Sequence, residues 1–169
     1  MEVVIFIAMF ILGTLLGSFY NVVGYRVPKG QSIIYPSSHC PKCNHKLKFW
    51  ELIPIISYFI LKGKCHKCKH KIPIFYTVFE FITGLTFALA YLQYGLTINL
   101  IIPLTFLSLL IIIVISDILY MIIADSVLII FGILLIIEIL LIKGNTILPN
   151  IGYSVAPSIL AASKNSSGI

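Results

Sequence analysis

The sequence predicts an all-α fold, a polytopic membrane helix bundle interrupted by one small hydrophilic insertion. Three observations predict it. The chain is 59% hydrophobic and only 11% charged, with a mean hydropathy of +1.06. A soluble domain of 169 residues has no core large enough to hide that much apolar surface, whereas a bilayer accepts it readily. The apolar runs also lack the polar faces that helices of a soluble bundle would need. Finally, ten of the twelve Lys and Arg residues fall between Arg26 and Lys71, where Glu51 is the one acid.

Taken in chain order, Val3–Val23 is the first candidate span. It has no basic segment ahead of it and no small-residue cleavage site before Arg26, so it reads as a permanent helix over 1–23 and not as a removed signal. Residues 24–73 form the basic insertion, and 74–162 form a bundle of three to four further spans. Those spans are Ile74–Tyr94, Ile98–Ser116, Ser126–Ile142 and a shorter segment, Ile147–Ala162, broken by Pro149, Gly152 and Pro157. About 20 residues cross a hydrocarbon core of about 30 Å, and somewhat shorter spans are tolerated. Residues 163–169 are a polar tail.

The positive-inside rule places the 24–73 insertion in the cytoplasm and the N-terminus outside. Counting spans from there returns the stretch around Asp117–Asp125 to the cytoplasmic side. The basic charge then serves topology and attracts anionic headgroups of the bilayer. No stacking pattern or reader motif accompanies it, so a nucleic-acid partner is not expected.

All four cysteines lie in this insertion, as Cys40-Pro-Lys-Cys43 and Cys65-His-Lys-Cys68 with 21 residues between the pairs. A CxxC turn lets two thiolates grip one ion, and two such knuckles complete the four-cysteine tetrahedron of a structural zinc site. The gap is slightly longer than the usual ribbon template. A reducing cytoplasm argues against the alternative of two disulfides, and no thioredoxin-like setting favours a redox-active pair. His39, His45, His66 and His70 are nearby substitutes, but four sulfurs fill the shell without them. The expectation is therefore a cytoplasmic zinc-knuckle insertion with structural Zn2+ on Cys40, Cys43, Cys65 and Cys68, stabilising a loop too small for a core of its own.

Between the knuckles, Leu52–Leu61 is apolar but too short to cross, and reads as an interfacial or re-entrant segment with Trp50 and Tyr58 at the headgroup boundary. Glu51 beside it reads equally well as a surface acid. Carboxylates in the later spans are costly there, and so are paired, interfacial or functional. Asp117 stands near the cytoplasmic end of the third span, Asp125 suits a helix N-cap, and Glu138 lies deep in the fourth span facing another helix.

Several segments together resemble one family. Gly17-Ser18-Phe19-Tyr20-Asn21-Val22-Val23 with Tyr25-Arg26-Val27-Pro28-Lys29-Gly30, then Pro36-Ser37-Ser38-His39-Cys40-Pro41-Lys42-Cys43, are similar to the first-helix exit and first knuckle of bacterial type IV prepilin leader peptidases. Trp50-Glu51-Leu52-Ile53-Pro54-Ile55-Ile56-Ser57-Tyr58, Gly63-Lys64-Cys65-His66-Lys67-Cys68, and Glu80 with Thr83-Gly84 follow in the family's order. The resemblance covers about residues 13–125 and is strongest to Gram-positive competence-type members. It implies an aspartic endopeptidase of the bacterial cytoplasmic membrane that cuts leader peptides from prepilins or pseudopilins. In many members it also implies N-methylation of the product from S-adenosylmethionine.

The family's first catalytic aspartate opens a stretch of the form D-x-x-x-x-x-x-P-D. Here it reads Asp117-Ile-Leu-Tyr-Met-Ile-Ile-Ala124-Asp125, with Ala124 in the proline position, so the resemblance assigns catalysis to Asp117. The second catalytic aspartate belongs to a G-x-G-D motif, which does not occur in these 169 residues, and no Asp follows Asp125. On one continuous helix Asp117 and Asp125 would stand about 12 Å and about 80° apart, too far to share a proton. The expectation is a chain shortened before its second aspartate and inactive alone as a protease. The alternatives are a non-enzymatic membrane remnant or pilin-binding scaffold, and a chain retaining methyl transfer through the insertion and Glu80.

Overall fold

The computed structural model describes residues 1–142. The expected span Ile147–Ala162 and the 163–169 tail lie outside the described residues. Helix α1 runs Glu2–Arg26, a short α2 covers Ile56–Ile60, and α3 and α4 are Phe75–Tyr94 and Ile101–Tyr120. Helix α5 is Asp125–Ile142. Four of them (α1, α3, α4, α5) are long and apolar enough to cross a membrane, and among the described residues no strand forms. This is a multi-pass, all-α membrane protein.

Helix ends follow local chemistry. Helix α1 continues past Val23 through Tyr25 and Arg26, because such side chains extend to the interface while the backbone stays helical. Pro28 then tightens it into a 3-10 turn, and Gly30 at φ +65° closes that turn by donating its N–H to Val27. Helix α3 stops at Gly95, whose φ +62°, ψ −172° suits glycine alone. Helix α4 outruns its expected end at Ser116 and stops at Met121, a left-handed residue whose N–H returns to the carbonyl of Asp117 at 2.7 Å.

The main packing seam joins α1 to α3 through glycine. A Cβ on Gly13 would stand 2.7 Å from the Thr83 carbonyl oxygen and 2.8 Å from Gly84 Cα; one on Gly17 would meet the Thr83 side chain at 2.9 Å. On the other helix, a Cβ on Gly84 would strike Thr14 Cγ2 at 2.6 Å. Small residues four apart let two backbones approach this closely, which matters in lipid, where there is no hydrophobic drive between helices. Gly24 does the same for Ile115 of α4. Polar clasps tie α1 to both α4 and α3. Tyr20 donates to Ser108 Oγ at 2.7 Å, and Asn21 Nδ2 to the Tyr76 carbonyl at 3.0 Å.

Two apolar clusters result. Tyr20, Val23, Phe79, Ile112, Ile115 and Val127 form one toward the insertion; Met9, Phe87, Ala90, Tyr91 and Leu100 form the other toward the far end. Helix α5 joins the first through Val127, Phe131 and Leu135, while most of its apolar side chains point outward.

Candidate functional site

The insertion is built from two copies of one turn, 25 positions apart. In the first, Cys40 N–H donates to the His45 carbonyl and Asn44 N–H to that of Cys40; in the second, Cys65 N–H donates to His70 and Lys69 N–H to Cys65. A bridge closes each, His39 with Lys46 and Lys64 with Lys71. Asn44 and Lys69 occupy the matching left-handed position, at φ 51° and 58°. The turns face each other and bring the four sulfurs of Cys40, Cys43, Cys65 and Cys68 within 4.8 Å of one another.

This arrangement fits a tetrahedral metal. Four sulfurs about 2.3 Å from a central ion stand about 3.8 Å apart, and Cys40–Cys68 and Cys43–Cys65 are 3.7 and 3.9 Å apart. All four are free thiols, too widely separated for S–S bonds of about 2.05 Å. The N–H groups of Lys42 and Cys43 hold the Cys40 thiol well down, to about 6. At Cys43 the His45 N–H also favours the thiolate, but loss of water and the neighbouring sulfurs outweigh it and push that thiol up to about 11. One thiolate forms easily and then resists the next, as coupled sites do; a cation at the centre removes that repulsion.

No histidine joins the shell. His39 Nδ1 lies 2.9 Å from the Ser37 carbonyl, His66 stands edge-on to Trp50, and His45 faces Glu51 at 3.4 Å. Glu51 is not a surface acid: its side chain is fully buried, and its Oε2 accepts the Lys48 N–H at 2.8 Å, capping the 3-10 turn Phe49–Leu52. Its bare appearance in sequence hid a fold-dependent role.

Glu80, on the first turns of α3, anchors the insertion to the bundle. Its Oε2 accepts the N–H of Ile55 at 2.8 Å, with the Ser18 hydroxyl of α1 alongside. Ile55 is itself unusual: at φ 63°, ψ −56° it makes a tight turn in which Ile56 N–H reaches the Pro54 carbonyl at 2.6 Å. A β-branched residue with positive φ is strained by about 1–3 kcal/mol, so the buried carboxylate holds a conformation that the sequence does not favour locally. Glu51 and Glu80 both line a cavity of about 140 Å³ beneath the insertion, with Ser18, Tyr58, His66 and Tyr76.

Asp117 lies on the last turn of α4, exposed, at the same end of the bundle as the insertion. Lys29 fixes that correspondence, its ammonium sitting over the rings of Tyr25 at 4.3 Å and Tyr120 at 4.8 Å. Asp117 and Asp125 are not on one helix. The chain breaks at Met121 and turns through residues 122–124, held by Ser116 Oγ donating to the Ile122 carbonyl at 2.7 Å. Asp125 is the first residue of α5 and not its cap, a position where a carboxylate still complements the helix dipole. No hydrogen bond joins the two aspartates, and neither joins the cysteine cluster. Glu138 meets α4 within the span, accepting from Thr105 Oγ1 at 2.7 Å.

The family model described as Bacterial Peptidase A24 N-terminal domain matches residues 11–94, which takes in the later part of α1, the insertion and α3 and ends before Asp117. A Bacillus subtilis protein named prepilin leader peptidase/N-methyltransferase is 44% identical over 123 residues, 73% of this chain and 50% of that protein. Proteins of the same name from Myxococcus xanthus and Neisseria gonorrhoeae are 42% and 38% identical, over 61% and 50% of this chain and 31% and 38% of theirs. The chain thus spans half the length or less of these relatives. No solved structure matches it. With its membrane helices, paired cysteine turns and these relatives in agreement, the chain belongs to the type IV prepilin peptidase family.

Proposed function

We propose that this chain carries the zinc module and one of the two catalytic carboxyl groups of an aspartic endopeptidase that removes leader peptides from type IV prepilins or pseudopilins at the cytoplasmic face of the bacterial cytoplasmic membrane. The observation that carries this reading is the placement of Asp117, exposed on the last turn of α4 at the end of the bundle that bears the basic insertion. A leader on the cytoplasmic side would meet it there without entering the bilayer. Labelling of the four thiols in intact cells by an impermeant reagent would reverse this orientation.

In the chemistry of such a site two carboxyl groups share a proton, one activating water as base while the other donates to the scissile carbonyl. Asp117 supplies one. The second is proposed to come from outside this sequence, since no hydrogen bond joins Asp125 to Asp117 and no later Asp occurs. Zinc on the four cysteines takes no part in this chemistry; it would fasten the two knuckles, and so the Glu51 and Ile55 turns between them. Methyl transfer is the second activity in the relatives' names. The cavity under the insertion is smaller than the roughly 300 Å³ at which pockets for drug-sized ligands begin, so it does not enclose S-adenosylmethionine, and no methyl-transfer step is assigned to it.

The test is reconstitution with a prepilin in lipid, for the 169-residue chain and for a version extended by a segment bearing G-x-G-D. Cleavage is expected only from the extended form, and Asp117→Asn in that form should lower it by several orders of magnitude. Full activity in Asp117→Asn would overturn the assignment.

A further inference from the structure

The geometry points to a lipid seat on the flank of the module: the groove between α2 and α3 takes an acyl chain of an anionic phospholipid, and the lysines that follow α2 meet its headgroup. The groove, about 210 Å³, is lined by Ile55, Tyr58 and Phe59 on one side and by Ile74, Thr77, Val78 and Phe81 on the other. This seat is independent of the proteolytic reading.

Its α3 wall is the start of a longer stripe. Ile74, Val78, Phe81, Leu85, Leu89 and Leu92 are all exposed and recur every three to four residues, so they share one face of the helix. The opposite face, with Glu80, Thr83, Gly84 and Phe87, is packed inward. Among the described residues nothing covers this stripe, and with the stripe turned to lipid the groove opens into the same medium that bathes Leu85 and Leu89. An apolar recess continuous with that stripe is reached by acyl chains before any soluble partner.

The α2 wall agrees. On a helix of five residues, Ile56, Phe59 and Ile60 are 55%, 70% and 64% exposed, a wasteful surface in water and an ordinary one at the hydrocarbon boundary. Charge sets the lipid class. Lys62, Lys64, Lys67, Lys69 and Lys71 come directly after α2, and none has an ion-pair partner among the described residues. The module's one acid, Glu51, is buried, so its surface offers positive charge alone. Such a surface at a bilayer favours anionic headgroups over zwitterionic ones.

The chain's single tryptophan makes the test direct. Trp50→Phe combined with Phe59→Trp moves the indole into the groove of the full chain, which is reconstituted in phosphatidylcholine vesicles containing a minor amount of doxyl-labelled phosphatidylglycerol or doxyl-labelled phosphatidylcholine. The anionic label should quench at least about twofold more strongly than the zwitterionic one, and adding Lys62→Gln and Lys71→Gln should bring the ratio toward unity. Metal content equal to the parent's certifies the reporter's fold; if it falls, the same comparison is made with Trp50→Phe and Phe81→Trp, which sets the indole on the α3 wall of the same groove. Equal quenching by the two lipids overturns the inference, as does quenching by aqueous iodide with none by either lipid.

Discussion

From residue 39 to residue 71 the chain is held by four sulfurs and a few polar contacts around Glu51 and Glu80, while α1 and α3 are held by glycines pressed against the opposing backbone. The module has almost no apolar interior, its buried residues being two cysteines, Glu51, Pro54 and Gly63. The bundle buries little charge and needs none. The contrast reflects two surroundings. In water, a segment this short hides too little apolar surface to order itself, and an ion held by the four sulfurs would supply the missing stability. In lipid, apolar burial gains little, and closeness of fit decides which helices pair.

The largest effect on the difference between the two regions is expected from Cys65→Ser. Zinc binding contributes about 10–16 kcal/mol in small modules of this kind, so the substitution should abolish metal in elemental analysis and open residues 39–71 to protease, while the bundle's helical circular dichroism persists. Loss of both regions together would show that the bundle depends on the module. Acid acts on the same centre. Near neutral pH metal uptake must displace the proton held on Cys43, whose thiol sits at about 11, whereas Cys40, at about 6, is already ionised. Below pH 6 both carry protons, so metal affinity should fall about tenfold more steeply per pH unit there than above; a constant slope in a chelator titration from pH 5 to 8 would contradict the assignment.

Gly17→Val addresses the other region. Its added carbons collide with Thr83, an overpacking worth about 1–3 kcal/mol, and it should lower the thermal midpoint in detergent without changing metal content. Glu80 joins the two regions: Glu80→Ala removes the acceptor of the Ile55 N–H, which costs about 1–3 kcal/mol and should loosen the module against α3. Glu80→Gln keeps an acceptor oxygen and should lose less, and equal losses would show that charge and not the hydrogen bond matters. Smallest is Tyr20→Phe, because Ser108 retains its bond to the Leu104 carbonyl; about 0.6 kcal/mol is expected in equilibrium unfolding.

What could be read from sequence divides along similar lines. Apolar runs and paired CxxC turns are local signals, so the four described spans and the gathering of the four cysteines were legible, with α1 and α4 ending a few residues later than hydropathy alone suggests. The partners of Glu80 and Glu138 were not, because an acid's neighbours 25 or 33 positions away leave no local trace, whereas Glu51 bonds only three positions back, to Lys48, and its burial depends on the folded insertion around it. Gly13 and Gly17 do carry a signal, small residues four apart in an apolar run, although hydropathy alone does not register it. The break at Met121 was hidden for a different reason. Neither Gly nor Pro marks it, and the stop depends on a left-handed methionine together with Ser116 reaching forward to Ile122.

The 25-residue offset between the two knuckles has a bearing on biogenesis. Cys40 and Cys43 leave the ribosome first, with half a ligand set, and at about 5–20 residues per second their counterparts follow roughly one to five seconds later. By then α1 has long been synthesised and is free to enter the bilayer, and α2 lies between the two half-sites. A metal bridging them would close residues 43–65 into a ring that contains α2, formed only after the first anchor is set. The groove against α3 is assembled last, once the helix that supplies its other wall has emerged.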